Sequence, residues 1–386
     1  MPHADANARG VRDSMRVLFA LREPYLPDTI GGGVLSIHDM TRQFIDLGHQ
    51  CEIMASVSPG ARLLLYRLRR RLSRRRWTGL ADDANGYPTL RAWDWLLPRL
   101  LRERLAEFRP QVVITQGVQP ESLAHEAIAC NVPAITRMNT AEGVEALHRA
   151  QTRDAGIAQM LRSPLFRMVS TSTFIADRVR ERLGLESQVV FPLIRCAPCP
   201  PASRRPEFIT LINPSRIKGL DVALGVAERL PHRQFLFVES WPLDGAALAD
   251  LSARLRTLRN VKFQRRSMQM QDVYARSALL LVPSQCADAF PRVVVEAAIN
   301  GIPVVGSRTG GIPEAMADGG LLLAPSAPAD EWADAVERIM ADRRLYQDLS
   351  ARAIRNAGRR ELDPRSVGSR LIEIAKAHAF SSRAGI

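Results

Sequence analysis

The stretch from Ala278 to Pro325, ALLLVPSQCADAFPRVVVEAAINGIPVVGSRTGGIPEAMADGGLLLAP, decides the fold. Its apolar runs Ala278 to Pro283, Ile302 to Gly306 and Gly320 to Ala324 are short strands, separated by one helix and one glycine turn. Continuous apolar strands alternating with helices mark a parallel sheet covered on both faces. Acidic residues stand where this rhythm turns: Asp288 in the loop before Pro291, and Glu296 on the helix that follows. Proline is favoured as a first helical residue, so the helix is expected to open at Pro291. A helix start offers free N–H groups and a partial positive charge, which suit a phosphate. Carboxylates accept hydrogen bonds from hydroxyls, so the two together suit a sugar nucleotide.

Outward from this stretch the chain reads as two α/β halves. The second begins near Glu207 with strand Phe208 to Ile212, helix Leu220 to Leu230, strand Gln234 to Glu239, helix Ala246 to Leu258, strand Val261 to Gln264 and helix Gln271 to Ser277. The first opens with strand Arg16 to Leu21, a Gly31-Gly32-Gly33 loop, an amphipathic helix Val34 to Leu47 and strand Cys51 to Ala55. It continues with strand Val112 to Thr115, a helix from about Glu121 to Cys130, and strand Ala134 to Arg137 leading to Asn139. The expected organisation is a first domain over 15–191, a proline-rich linker over 192–206, a second domain over 207–365 and a terminal helical segment over 366–386. At 386 residues, 46% apolar and 6% aromatic, the chain is long enough for two aliphatic cores. Residues 1–14 read as a polar tail without a signal core. No apolar run reaches the roughly 18 residues a membrane span needs, and a cytoplasmic location is expected.

The net charge of +13 is almost all arginine, because Lys218, Lys262 and Lys376 are the only lysines. Lys218 follows the strand Phe208 to Ile212 and precedes Gly219 and a helix, where a cation can reach a phosphate at the helix start.

Asp288 and Glu296 are separated by seven residues, and Gly310-Gly311-Ile312-Pro313-Glu314 follows one helix and one strand later. In this the sequence resembles family 4 of the retaining glycosyltransferases, whose signature is two glutamates at that spacing, a helix, a strand and a GGxPE-like turn. The resemblance runs from about Met15 to His378 and is weak between about Val57 and Pro110. It implies a GT-B fold, two facing Rossmann-like domains with parallel sheets and a cleft between them, and a terminal helix that crosses back onto the first half. It further implies that Lys218 beside Gly219 holds the donor diphosphate, with Arg216 in place of the usual arginine where Asn213 stands. Glu296 would bind the nucleotide ribose and Asp288, one methylene shorter than the usual glutamate, the donor sugar. The segment Phe290, Arg292 and Val293, the turn Gly310-Gly311 and the loop Gly32-Gly33 would line the donor site, although these loop glycines equally fit a plain tight turn. Asn139 occupies a place where members often carry a histidine, and an amide cannot shuttle a proton. Glu239-Ser240-Trp241 stands where a glycine-rich turn is common.

The resemblance implies transfer from a nucleotide-sugar donor to a glycan or lipid-linked acceptor, with retention and without a cofactor. No D-x-D motif sits at a strand end, so no metal is expected and Lys218 and backbone amides would meet the leaving diphosphate. The competing expectation is a non-catalytic nucleotide-sugar-binding or membrane scaffold protein that lost function at Asn139, Asp288 and Asn213.

Residues 62–77, RLLLYRLRRRLSRRRW, hold eight arginines and no acid. Leu64, Leu65, Leu68 and Leu72 share one face of a helical wheel, so Arg67, Arg70, Arg71 and Arg74 can meet anionic head groups while the leucines enter the lipid boundary. A peripheral site on the inner face of the cytoplasmic membrane is the expectation. A core-packed helix and a nucleic-acid contact are the alternatives, the latter set aside. Cys196-Ala-Pro-Cys199 lacks a second Cys or His pair to complete a metal site, and Cys51 and Cys130 read as buried thiols.

Overall fold

The structure, a computed structural model, describes residues 14–57, 79–265 and 269–384. The basic stretch with Arg67, Arg70, Arg71 and Arg74 lies outside the described residues. The chain divides into two compact units, one up to Leu193 that regains the chain from Pro364 onward, the other Ile194–Asp363.

The first unit is built on eight strands: β1 (Arg16–Pro24), β2 (Gln50–Ser56), β3 (Gly79–Asp82), β4 (Thr89–Ala92), β5 (Val112–Gln116), β6 (Ala134–Met138), β7 (Phe166–Ser170) and β8 (Gln188–Val189). Their order across the sheet is β3-β4-β2-β1-β5-β6-β7-β8. All neighbours are parallel except β3, which pairs antiparallel with β4. The second unit holds β9 (Phe208–Ile212), β10 (Gln234–Val238), β11 (Val261–Gln264), β12 (Ser277–Val282), β13 (Val304–Ser307) and β14 (Gly320–Leu323). These form an all-parallel sheet in the order β11-β10-β9-β12-β13-β14. Strands β5, β6 and β9 are buried along their whole length, which is why they read VVITQ, AITRM and FITLI rather than as polar-apolar alternation.

Both sheets reverse their strand order beside their first strand, between β1 and β5 and between β9 and β12. In open α/β sheets the loops leaving two such strands diverge to opposite faces, and ligands bind in the crevice this opens beyond the carboxyl ends.

The helix Pro364–Ala384 belongs to the first unit, where Val367, Leu371 and Ala375 join the core formed by Phe19, Ile37, Met40 and Phe44. Gly368 lets it press on the helix Gly32–Asp46, since a Cβ there would stand 2.6 Å from Gln43 Cγ. The second core gathers Phe235, Phe237, Leu251 and Trp332. Each such side chain removed from water contributes about 1.5–3 kcal/mol before the entropy of ordering is subtracted.

Several expectations shift in detail. The amphipathic helix opens at Gly32, so Gly32 and Gly33 form its first turn instead of a loop before it. Pro291 holds an extended conformation ahead of the helix Arg292–Ile299, one residue earlier than a first helical position. The stretch 194–206 is tied into the second unit: Cys199 N donates to Asn300 Oδ1 at 2.7 Å and Arg205 N to Ala275 O at 2.8 Å. Cys51 is buried, whereas Cys130 is exposed because it stands past the last turn of the helix Pro120–Ala129.

Candidate functional site

In the second unit β9 and β12 end side by side, and the loops that leave them carry the candidate residues. After β9 the chain turns through Asn213 and the short 3-10 turn Arg216–Lys218. After β12 it passes through 283–290 into the helix Arg292–Ile299. The loops are fastened together, with Gln285 N donating to Ile217 O at 2.9 Å. Across that seam the Lys218 ammonium pairs with Asp288 Oδ1, while Ser284 Oγ donates to Asp288 Oδ2 at 2.8 Å. The Lys218 and Asp288 side chains are each 16% exposed, so the pair is sheltered yet open to a ligand. Trp241 sets its ring centroid 5.3 Å from Lys218 Nζ, a cation–π contact.

The glycine turn carries the Asp288 loop. Gly311 N donates to Asp288 O at 2.6 Å. Gly310 has a φ of +57°, and a Cβ on it would stand 2.3 Å from Asp288 O, while one on Gly311 would stand 1.8 Å from Ala289 O. Any side chain at either position would push the loop away, so these residues are glycines because Asp288 leans on their backbone.

Glu296, one turn into the helix, is held by two groups. The Tyr274 hydroxyl donates to Glu296 Oε2 at 2.6 Å, and Arg292 Nε lies 3.4 Å from Glu296 Oε1. Burial, reinforced by the Glu296 charge, holds the Tyr274 phenol well above its ordinary value, so Tyr274 keeps its proton and remains a donor. No side chain caps this helix, and its N-cap residue Pro291 brings no N–H, which leaves the amides that follow as the terminal donors. Phe290 is buried beneath this start, and Val293 is partly exposed on it.

Asn213 is 8% exposed and its Oδ1 accepts from Ser240 N (2.9 Å) and Trp241 N (2.8 Å), so it organises the next loop. Glu239 completes that loop, accepting from Leu243 N at 2.9 Å and pairing with Arg265 Nε at 2.8 Å. Side-chain oxygens thereby do for this turn what glycines do elsewhere. Arg216 is exposed on the 3-10 turn that ends at Lys218. Tyr274 and Trp241 are joined to Glu296 and Lys218 only through the fold, whereas Ser284 lies four residues before Asp288 on the same loop.

In the first unit Gly33 and Asn139 do meet, since a Cβ on Gly33 would stand 3.2 Å from Asn139 Nδ2. Gln116 Nε2, at the end of β5, donates to Gly33 O at 3.1 Å, and the buried Arg137 donates to Gln116 Oε1. Gly32 is exposed beside them. Among the described residues no cluster of His, Cys, Asp and Glu is arranged to hold a metal ion.

Two family models match the chain without overlapping: Glycosyltransferase Family 4 over residues 30–192 and Glycosyl transferases group 1 over residues 203–357. A D-inositol 3-phosphate glycosyltransferase of Mycobacteroides abscessus is 34% identical over 141 residues, 34% of this chain and 31% of the relative. The lipopolysaccharide 1,2-N-acetylglucosaminetransferase of Salmonella typhimurium is 38% identical over 81 residues, 20% of this chain and 21% of that protein. The chain thus spans about a third of the first of these relatives and less of the second. Anabaena Alr3699/HepE, solved with UDP-glucose, superimposes with a TM-score of 0.73 at 16% identity, covering 94% of this chain and 100% of its own.

Proposed function

Since the chain belongs to family 4 of the glycosyltransferases and has the GT-B fold, we propose that it transfers a sugar from a nucleotide-sugar donor to a hydroxyl of a glycan or lipid-linked acceptor, with retention of anomeric configuration. The observation that carries this reading is the Lys218–Asp288–Gly310-Gly311 seam at the second unit's strand reversal. It sets a cation, a carboxylate and uncapped helix amides around one crevice, which is what a diphosphate joined to a sugar requires. The UDP-glucose bound by HepE is consistent with such a donor.

In this reading the Lys218 ammonium and the amides of Arg292 and Val293 receive the diphosphate, Asp288 takes a hydroxyl of the donor sugar, and Glu296, oriented by Tyr274, takes the ribose. The bond between the anomeric carbon and the phosphate oxygen breaks as the acceptor oxygen bonds to the same face of that carbon. The departing phosphate oxygen accepts the acceptor's proton, and Asn139, an amide, takes none. Preorganised positive groups stabilise the charge that develops on the leaving group, and no metal is invoked. No helix among the described residues is long and apolar enough to cross a membrane. We assign the basic stretch 62–77 to an anionic membrane surface on the cytoplasmic side, where a lipid-linked or cell-surface glycan acceptor would be met.

A panel of UDP-, GDP- and dTDP-sugars tests this. Slow release of nucleoside diphosphate and free sugar from at least one donor, with the first-formed sugar keeping the donor's anomeric configuration by NMR, is expected. Tight donor binding with no turnover would favour a binding protein, and an inverted product would overturn retention.

A further inference from the structure

The first unit carries a carboxylate that the donor chemistry does not use. Glu23 stands at the end of β1, beside Gly117 at the end of β5, so it occupies the first sheet's reversal point as Asp288 occupies the second's. Gly117 has a φ of +88°, and a Cβ there would lie 2.2 Å from Glu23 Oε1. The positive φ favours glycine there, and its missing side chain leaves the carboxylate room. Glu23 is partly buried, and among the described residues its carboxylate has no hydrogen-bond or ion-pair partner. The adjacent cation is committed elsewhere: Arg22 Nε donates to Asp94 Oδ1 at 2.7 Å, and its NH1 to Gln119 Oε1 at 2.6 Å. Burial pushes the Glu23 carboxyl up to about 7. A sheltered acid without a partner is unfavourable, and one in a ligand crevice has a ready explanation if the ligand supplies the partner.

The same arginine fixes the surroundings. Asp94 opens the 3-10 turn Asp94–Leu96 beyond β4, and the next residue, Trp95, is 72% exposed. Val118, between Gly117 and Gln119, is 56% exposed. Strands β4, β2, β1 and β5 run parallel, so these residues all emerge at one edge of the sheet. A sugar ring presents hydroxyls at its rim and C–H groups on its face, and needs a carboxylate for the first and an apolar or aromatic surface for the second.

We propose that Glu23 is the acceptor-recognition residue of this protein, its carboxylate taking hydrogen bonds from the hydroxyls of a polyhydroxylated acceptor whose ring face rests on Trp95 and Val118. The assignment rests on the glycosyltransferase reading of the second unit for the word acceptor, but its binding chemistry is independent of the donor. An anionic lipid surface is a poorer occupant, because an unpaired carboxylate repels it.

Saturation-transfer NMR on the full chain, with UDP present and methyl α-glucoside, methyl α-mannoside, N-acetylglucosamine and myo-inositol as probes, tests this. At least one probe is expected to bind at millimolar concentration, and Glu23→Gln to weaken it by about tenfold or more, the worth of a charge-assisted bond. Trp95→Ala is expected to remove the transfer to ring C–H protons, and Glu23→Asp to retain part of the binding. UDP affinity by calorimetry is expected to be unchanged in all three variants, and the melting temperature of Glu23→Gln no lower than that of the wild type. Equal binding of the probes to wild type and Glu23→Gln would overturn the proposal, as would no probe binding to wild type. Trp95-dependent binding to anionic vesicles in place of sugars would overturn it in favour of a membrane contact. Failure of wild type to bind UDP or any other nucleoside diphosphate would instead strike the donor reading.

Discussion

Asp288 and Glu23 are both partly buried carboxylates at the strand reversal of their own sheet, Glu23 at the end of the first strand β1 and Asp288 in the loop after β12, the neighbour of the first strand β9. They are treated in opposite ways. Asp288 is met by a lysine and a serine hydroxyl, and its loop is propped by two glycines. Glu23 is met by nothing among the described residues, and the arginine next to it is turned to Asp94. A carboxylate with its partners built in is arranged to hold a fixed charge for a ligand that also needs the lysine. One without partners is raised toward neutrality by burial alone. The difference separates a preorganised electrostatic site from one whose binding partner must come from outside.

The strongest way to break the comparison is Lys218→Met, which takes the cation from Asp288 and leaves it the Ser284 hydroxyl. Turnover of a donor sugar is expected to fall by about a hundred- to a thousandfold, the usual effect of removing one group that stabilises developing charge. Calorimetry should show far weaker UDP binding and nearly unchanged uridine binding, since only the diphosphate meets the ammonium. Equal losses for the two ligands would place the phosphates elsewhere.

Glu296→Gln is the next largest. Loss of a charged acceptor for the ribose hydroxyls should weaken UDP binding by about tenfold or more while leaving the fold intact. A normal dissociation constant would remove Glu296 from the donor site.

Glu23→Gln sharpens the contrast through stability. The Glu23 carboxyl is raised from 4.5 to about 7 in the folded protein, so the folded state holds a proton that the unfolded chain has released across that window. Stability from this group is therefore greatest at low pH and is lost as pH rises through the window. Glutamine abolishes that loss, and by urea unfolding the variant should gain about 1–2 kcal/mol over the wild type at about pH 8, relative to their difference at about pH 4, after allowance for solvent reaching the group. An unchanged pH dependence would mean that Glu23 finds a partner in solution.

Tyr274→Phe probes Glu296, which like Asp288 has one hydroxyl donor and one cation beside it. Removing the hydroxyl should cost about 1–2 kcal/mol of donor affinity, with a smaller change for phosphate-only ligands. Equal weakening of UDP and inorganic pyrophosphate would assign the tyrosine to general packing.

The alternation of buried strands with helices, the acids at 288 and 296 and the glycines at 310 and 311 are local patterns, so the second unit's strands and the position of its loops were legible in the sequence to within a few residues. Strands β3 and β4 were not, because four-residue strands joined by polar turns carry too little periodicity to stand out. Strands β7 and β8 carry equally little pattern, FRMVS being short and mixed in polarity, and QV shorter still. Asn213 looked like a weakened phosphate ligand in the sequence, and only the fold shows its oxygen turned to Ser240 and Trp241. By itself the sequence determined which residues are apolar enough to build two parallel sheets, and which acids, glycines and lysine fall on their loops. Tertiary structure alone decided which of those polar groups are neutralised and which are left for a ligand, because pairing depends on strands far apart in sequence lying next to each other: Lys218 reaches Asp288, and Tyr274 reaches Glu296, while Arg22 is drawn from Glu23 to Asp94.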